Sequence, residues 1–159
     1  MARRREWWPW AGLVVRLGLG AVWLIAGATK LADLAQSVRA VRAYELLPEA
    51  IVPAVGYGLP VLEVGVGLLL VAGLGTRVAA ALSALLLVAF IVGIASAWAR
   101  GLQIDCGCFG GGGFEADATS QYPWDIARDV VLLVLSVALV VRPSTAWALD
   151  NRLMQEGDD

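Results

Sequence analysis

The chain has 159 residues, of which 59% are hydrophobic and only 16% are charged, and its mean hydropathy is +0.73. Soluble domains carry about 25% charged residues, so this composition excludes an ordinary soluble protein and predicts an integral membrane protein of the cell membrane. The net charge of −2, with no basic cluster beyond Arg3–Arg5, gives no indication of a nucleic-acid partner. The sequence contains no histidine, which removes the commonest proton shuttle and the commonest transition-metal ligand.

Four apolar segments each approach the roughly 20 residues that cross a bilayer core about 30 Å thick. We predict membrane spans at 10–28, 51–74, 78–98 and 124–141. They form a membrane domain at 10–142, between a cytoplasmic segment at 1–9 and a polar cytoplasmic tail at 143–159 that we expect to be mobile. The predicted fold class is therefore all-α: a four-transmembrane-helix bundle that contacts the lipid bilayer.

Residues 30–47 predict a different kind of helix. Leu34 and Val38 recur at helical spacing, while Arg39 and Arg42 fall on the opposite side. The segment is too short and too charged to cross the bilayer. We predict an interfacial amphipathic helix between the first two membrane helices.

Two ionisable residues lie inside predicted spans. Glu63 is about half-way along the second span, where an ionisable group is costly unless it faces the bundle interior. It is a candidate for handling protons or binding a head group, and equally a candidate for a buried partner of Lys30 or Arg16. Arg16 is less than two turns into the first span, so its side chain either extends back to the interface, which we favour, or turns inward to a partner.

The fourth span is expected to start near Pro123, a residue suited to the first turn of a helix. Asp125 and Asp129 would then lie near the positive end of the helix dipole, with Arg128 at helical spacing between them. This cluster is interpreted as an ion pair at the mouth of the bundle, or as a group that sets the electrostatics of the preceding loop.

The distribution of basic residues predicts the orientation of the chain. The N-terminal side carries Arg3, Arg4, Arg5, Arg77, Arg142 and Arg152, against Lys30, Arg39, Arg42 and Arg100 on the other side. Because basic loops favour the cytoplasm, both termini are predicted to be cytoplasmic. The loop at 100–123 is then extracytoplasmic, on the oxidising side where thiols ordinarily undergo disulfide exchange.

That loop contains both cysteines, Cys106 and Cys108, separated by Gly107. In an extended segment, residues two apart point to the same face, so the pair can close into a small, strained disulfide. Strain makes a disulfide easier to reduce, and so short a loop gives almost no entropic stabilisation, so exchange is favoured over a structural staple. Arg100 would favour a thiolate nearby, whereas the adjacent Asp105 would oppose it.

The sequence allows two other interpretations of the cysteines, a metal site and inert thiols. Two thiolates supply only half of a tetrahedral zinc shell, and one chain has no histidine or further cysteine to complete it, so no metal ligands are assigned. A metal site shared between two copies of the chain is one alternative. Inert thiols are the other.

The chain resembles the MauE/DoxX family of small four-helix membrane proteins over about 10–141. The matching residues are Gly27-Ala28-Thr29-Lys30-Leu31, Tyr44 with Leu47-Pro48, Leu59-Pro60 with Leu62-Glu63 and Gly67, and Arg100-Gly101 leading into Asp105-Cys106-Gly107-Cys108-Phe109-Gly110. The cysteine segment resembles the MauE branch in particular. The resemblance implies a redox-associated membrane protein linked to an extracytoplasmic thioredoxin-like partner and to disulfide formation in exported proteins.

A second resemblance concerns architecture alone. DsbB and vitamin K epoxide reductase also use four helices to pass electrons between thiols and a quinone. This chain has one cysteine pair rather than two relayed pairs. A complete circuit would therefore need a partner that supplies the second pair.

The preferred hypothesis is a thiol–disulfide redox protein in which Cys106 and Cys108 exchange electrons with a thioredoxin-fold partner, coupled to menaquinone or ubiquinone. Glu63, Lys30 and Arg100 are candidates for proton handling, quinone contact and thiolate stabilisation respectively. One alternative is a non-catalytic assembly or scaffold subunit for an exported redox protein or a membrane respiratory complex. The other is metal delivery by the same two sulfur atoms.

Overall fold

The computed structural model describes residues 8–104, 118–143, 145 and 148. The elements of this part of the chain are all α-helices: α1 (Trp8–Ala32), α2 (Leu34–Ala43), α3 (Val52–Ala72), α4 (Thr76–Ala99) and α5 (Ala118–Val141). The prediction of an all-helical protein is confirmed. Three segments are long and apolar enough to cross a membrane, namely Pro9–Ala32, Val52–Ala72 and Thr76–Ala99.

Helix α5 differs from the predicted fourth span. It begins at Ala118, so Pro123 lies inside the helix and the expectation that it occupies the first turn was wrong. The proline removes one hydrogen bond to the carbonyl four residues earlier, close to the helix start, where little of the helix is disrupted. Although α5 has 24 residues, Asp125, Arg128 and Asp129 give its first half a more polar composition than the other long helices have.

The amphipathic helix is present as α2 and is shorter than the 30–47 pattern indicates, because α1 continues to Ala32. Asp33 lies between α1 and α2 and caps the N-terminus of α2. Its carboxylate accepts a hydrogen bond from the N–H of Gln36 at 2.8 Å. The buried face of α2 contains Val38 and Ser37, and the Ser37 hydroxyl donates to the Gly56 carbonyl at 2.8 Å. Helix α2 therefore packs directly on the start of α3.

Glycines set the distances between neighbouring helices. A methyl group at Gly27 of α1 would lie 2.9 Å from the Pro60 carbonyl oxygen of α3, and one at Gly67 would lie 3.0 Å from the Gly20 carbonyl oxygen. Small residues at such crossings allow close backbone approach in membrane bundles. Helices α1 and α3 are consequently tightly packed, as are α4 and α5, whereas α3 and α4 touch sparsely.

A chain of buried hydroxyl groups joins three helices. The indole N–H of Trp23 in α1 donates to Ser83 of α4 at 2.7 Å, and Ser83 lies 2.9 Å from the hydroxyl of Ser136 in α5. Ser136 also donates to the Leu132 carbonyl at 2.9 Å. Each of these buried hydroxyls thus has hydrogen-bond partners within the protein, as buried polar groups generally do. This chain fixes the relative rotation of the three helices.

At the other end of the bundle, the favoured interpretation of Arg16 was wrong and the inward alternative is correct. Arg16 does not extend to the interface, because its side chain is only 2% exposed and its guanidinium lies against Gly73, the left-handed residue (φ 71°) that caps α3. A cation there faces the negative end of the α3 dipole. Two residues of the polar tail, Thr145 and Ala148, are buried, and Ala148 packs on the same turn.

Candidate functional site

The predicted catalytic pair, Cys106 and Cys108, lies outside the described residues, as does Asp105. Their roles stay predictions. The structure describes the two flanks of the segment that carries them. These flanks are the stretch from Arg100 to Ile104 after α4, and helix α5 from Ala118.

Tyr122 holds the first of these flanks against the bundle. Its side chain is 1% exposed and packs beside Ile94 of α4. The hydroxyl accepts a hydrogen bond from the Ile104 N–H at 3.1 Å and has two backbone acceptors in reach, the carbonyls of Leu102 at 2.6 Å and Ile104 at 2.9 Å. The residue immediately before Asp105 is thereby fixed between the end of α4 and the start of α5.

Tyr122 was not among the residues predicted for the site. The signal in the sequence is weak, because a tyrosine beside a proline near a span resembles an ordinary interfacial aromatic residue. Only the fold shows that its hydroxyl points inward, to backbone groups about 20 residues earlier in the chain. A buried tyrosine hydroxyl usually finds such a partner.

Arg100 joins two helix ends. Its guanidinium donates to the carbonyl of Tyr44, the residue that caps α2, and its Nε lies 3.3 Å from the Ser96 carbonyl oxygen. A third contact places Nη1 4.0 Å from the carboxylate of Glu45. In the described part of the chain, Arg100 therefore fastens the end of α4 to the end of α2. Its predicted effect on a thiolate is not tested by these contacts.

Glu63 faces the bundle interior and pairs with Lys30. The Lys30 ammonium donates to Oε1 of Glu63, and the side chains are 6% and 0% exposed. Of the two partners considered for Glu63, the structure selects Lys30. Within the described residues Oε2 of Glu63 has no hydrogen-bond partner, so one carboxylate oxygen is left without the compensation that a buried charge needs.

Phe90 of α4 separates this pair from a second group of charges. The Lys30 nitrogen lies 5.2 Å from the centre of the Phe90 ring, within the range of a cation–π contact. Beyond the ring, Arg128 contacts Asp125 at 3.1 Å and Asp129 at 2.9 Å, which confirms the ion pairing expected in α5.

A largely apolar cavity of about 260 Å³ lies beside Lys30. Helix α2 and the following loop cover one side of the cavity. Leu59 of α3 and Phe90 and Gly93 of α4 line the other sides. Gly93 packs close to the ring of Tyr44, since a Cβ at this position would lie in van der Waals contact, 3.4 Å from the Cε1 atom. The cavity thus combines aliphatic walls, two aromatic rings and one ammonium group.

No group of three or more potential metal-ligating side chains occurs among the residues that the structure describes. The cysteines are not among those residues, so their use as metal ligands is untested.

Comparison with known proteins places this arrangement in a family. The family model described as methylamine utilisation protein MauE matches residues 8–142. A relative from Paracoccus denitrificans, named methylamine utilization protein MauE, is 34% identical over 128 residues, which cover 79% of this chain and 66% of the relative. No solved structure gave a significant match. The apolar helices and the family match together show that this chain is a multi-pass membrane protein and belongs to the MauE family.

Proposed function

We propose that this protein is a membrane thiol–disulfide redox protein. Cys106 and Cys108 exchange electrons with an extracytoplasmic protein of thioredoxin fold, and a membrane quinone, menaquinone or ubiquinone, is the final acceptor. The observation that carries the proposal is the anchoring of Ile104 by Tyr122, two residues before Cys106. This anchoring supports the proposal that the cysteine pair lies at the same end of the bundle as the cavity beside Lys30.

The membrane topology in this proposal has four spans, with α5 as the fourth. At 24 residues α5 is about 36 Å long, enough to cross the bilayer core. Its charges are turned inward, since the side chains of Asp125, Arg128 and Asp129 are 13%, 25% and 3% exposed. The opposite face is apolar and exposed along its length, at Val130, Val131, Val134, Val137 and Val141.

Helix α2 then lies in the outer interface above the bundle. Its exposed side carries Arg39 and Arg42, and its buried side packs on α3. This arrangement suits a helix lying in the plane of the membrane surface. Four spans place both termini on one side of the membrane, and the excess of basic residues on that side favours the cytoplasm, so the cysteine segment is proposed to be extracytoplasmic. Reporter fusions at each terminus test this orientation.

The proposed chemistry balances in two steps. A thiolate of the partner attacks the Cys106–Cys108 disulfide, and the mixed disulfide resolves to an oxidised partner and a reduced cysteine pair. The dithiol of Cys106 and Cys108 then passes two electrons and two protons to a quinone, giving a quinol and restoring the disulfide. Glu63 is the proposed proton-handling group because it is buried, pairs with Lys30 of the cavity wall, and has no described partner at Oε2.

The relative and the family model are both named for methylamine utilisation. For this chain we propose an accessory role of that kind, in which the protein oxidises thiols of an exported protein rather than acting on an amine itself. The chain contributes no histidine and one cysteine pair, which is sufficient for disulfide exchange.

Single substitutions Cys106→Ser and Cys108→Ser test the proposal. One of the two variants should accumulate a mixed disulfide with a thioredoxin-fold protein, detectable as a reducible higher-mass band and identifiable by mass spectrometry. Alkylation of the partner's free thiols should increase in both variants. If both leave the partner's oxidation state unchanged while the protein still purifies in a stoichiometric complex, the scaffold function is correct and the redox function is wrong.

A further inference from the structure

We infer that the cavity beneath α2 binds the head ring of a neutral, lipid-soluble quinone, with Lys30 donating a hydrogen bond to a ring carbonyl. The electron-accepting role of this ligand rests on the proposed function. The binding site itself rests on the shape, lining and charge of the cavity, and it is tested separately below.

The volume and the lining favour a ring over a larger ligand. Sites for drug-sized molecules usually span roughly 300–1,000 Å³, so a cavity of about 260 Å³ accommodates a head group whose tail extends outside. The wall offers the rings of Phe90 and Tyr44 for stacking, together with the aliphatic surface of Leu59 and Leu86. A planar ring fits such surroundings better than a flexible polar head group.

The charge of the site favours a neutral ligand. Lys30 lines the cavity, but its positive charge is already balanced by Glu63. An anionic head group would find no net positive charge. An ammonium group has three N–H donors, and within the described residues Lys30 uses one, for Glu63. The remaining donors can serve a carbonyl oxygen, which a quinone ring supplies and a hydrocarbon does not.

Two other polar side chains line the cavity, Ser37 and Tyr44. The Ser37 hydroxyl donates to the Gly56 carbonyl at 2.8 Å, and the Tyr44 phenol is a neutral donor. Lys30 is the charged donor of the lining, so it is assigned the hydrogen bond that orients the ring. A buried charged donor discriminates strongly between ligands that do and do not accept its hydrogen bond.

The packing of the bundle provides a path for the tail. The cavity lies between α3 and α4, which contact each other far less than α1 contacts α3 or α4 contacts α5. Two lining residues, Leu46 and Leu47, are exposed apolar side chains, and the same two helices expose Leu62 and Val88, so the outer edge is compatible with lipid. A ring can thus enter from the bilayer while its tail stays among the acyl chains.

Binding of decylubiquinone to the Cys106→Ser/Cys108→Ser double variant in lipid nanodiscs tests this inference without thiol chemistry. Ala89 lines the cavity on α4, so Ala89→Trp should block it and weaken binding by at least about tenfold. Ala95→Trp is the matched control, because Ala95 is exposed on the same helix and does not line the cavity. It should bind decylubiquinone as the parent does.

The role of Lys30 is tested with Lys30→Met/Glu63→Gln, which removes both charges together and leaves no buried charge unpaired. This variant should bind decylubiquinone roughly tenfold more weakly, whereas binding of decylbenzene, which has no carbonyl, should be weak in the parent and unchanged in the variant. Equal binding of the two probes by the parent, displacement by anionic phosphatidylglycerol, or undiminished binding in Ala89→Trp would each overturn the inference. None of these outcomes bears on mixed-disulfide formation, so failure of the site is distinguishable from failure of the redox function.

Discussion

Lys30, near the end of α1, donates a hydrogen bond to Glu63 in the middle of α3, and both side chains are enclosed by the bundle. Glu63 lies eleven residues after the start of α3, which corresponds to a depth of about 16 Å along the helix. The pair therefore joins two helices well below the end of the bundle that carries α2.

This geometry predicts a strongly non-additive pair of substitutions. Lys30→Met alone leaves a buried carboxylate without its partner and should lower the free energy of unfolding by about 3–5 kcal/mol. Lys30→Met/Glu63→Gln removes both charges and should cost clearly less than the sum of the single changes. Reversible unfolding in detergent measures the free energy of unfolding of Lys30→Met, Glu63→Gln and the double variant. Additive effects would contradict the buried ion pair.

Tyr122→Phe should loosen the flank of the cysteine segment. The substitution keeps the ring but removes the hydroxyl that contacts Ile104 and Leu102, so a buried N–H loses its acceptor, at a cost of about 1–3 kcal/mol. Hydrogen exchange at the Ile104 amide should accelerate. The rate of mixed-disulfide formation by Cys106 or Cys108 should change with it.

The matched control for that experiment is Tyr57→Phe. Tyr57 is half-exposed on α3, so removal of its hydroxyl should leave exchange at Ile104 unaltered. Unchanged protection of Ile104 in Tyr122→Phe would contradict the anchoring role.

Gly56→Ala should separate α2 from α3. A methyl group at Gly56 would lie 2.7 Å from the Cα atom of Val38, so one of the two backbones must shift, at a cost of roughly 1–3 kcal/mol. Proteolysis of the α2 region should become faster. Gly58→Ala is the control: no atom lies within 4 Å of the added methyl group, and alanine favours the helix by up to about 1 kcal/mol. Equal susceptibility of the two variants would argue against close packing of α2.

The connection after α2 should depend on pH. The Nε atom of Arg42 lies 3.0 Å from both carboxylate oxygens of Glu49, and this hydrogen bonding lowers the pKa of Glu49 below its ordinary value. The stabilisation is therefore complete above the ordinary glutamate pKa of about 4.3 and is lost as the pH falls through the lowered pKa. Hydrogen exchange in residues 45–51 should accelerate over that acidic range. Glu49→Gln should abolish this dependence, and a persisting dependence would assign it to another group.

The composition and periodicity of the sequence were sufficient to predict a membrane protein made of helices, the approximate extents of α1, α3 and α4, and the amphipathic segment that forms α2. They also placed Glu63 inside the bundle. These features depend on the number and spacing of apolar residues along the chain. Such a pattern can be recognised in the sequence before the fold is known. The chemistry expected of Cys106 and Cys108 also follows from residue type and spacing, and it stays a prediction because both residues lie outside the described part of the chain.

The tertiary structure alone decided which groups meet. It paired Glu63 with Lys30 rather than Arg16, buried Arg16 beside Gly73, and directed the Tyr122 hydroxyl to Ile104. The physical reason is that such pairings depend on the rotation and vertical offset of whole helices. Those are fixed by close glycine contacts and by the Trp23–Ser83–Ser136 chain, which join residues distant in sequence. The cavity beside Lys30 is a product of the same packing, since it occupies the space that α2 covers between two sparsely touching helices.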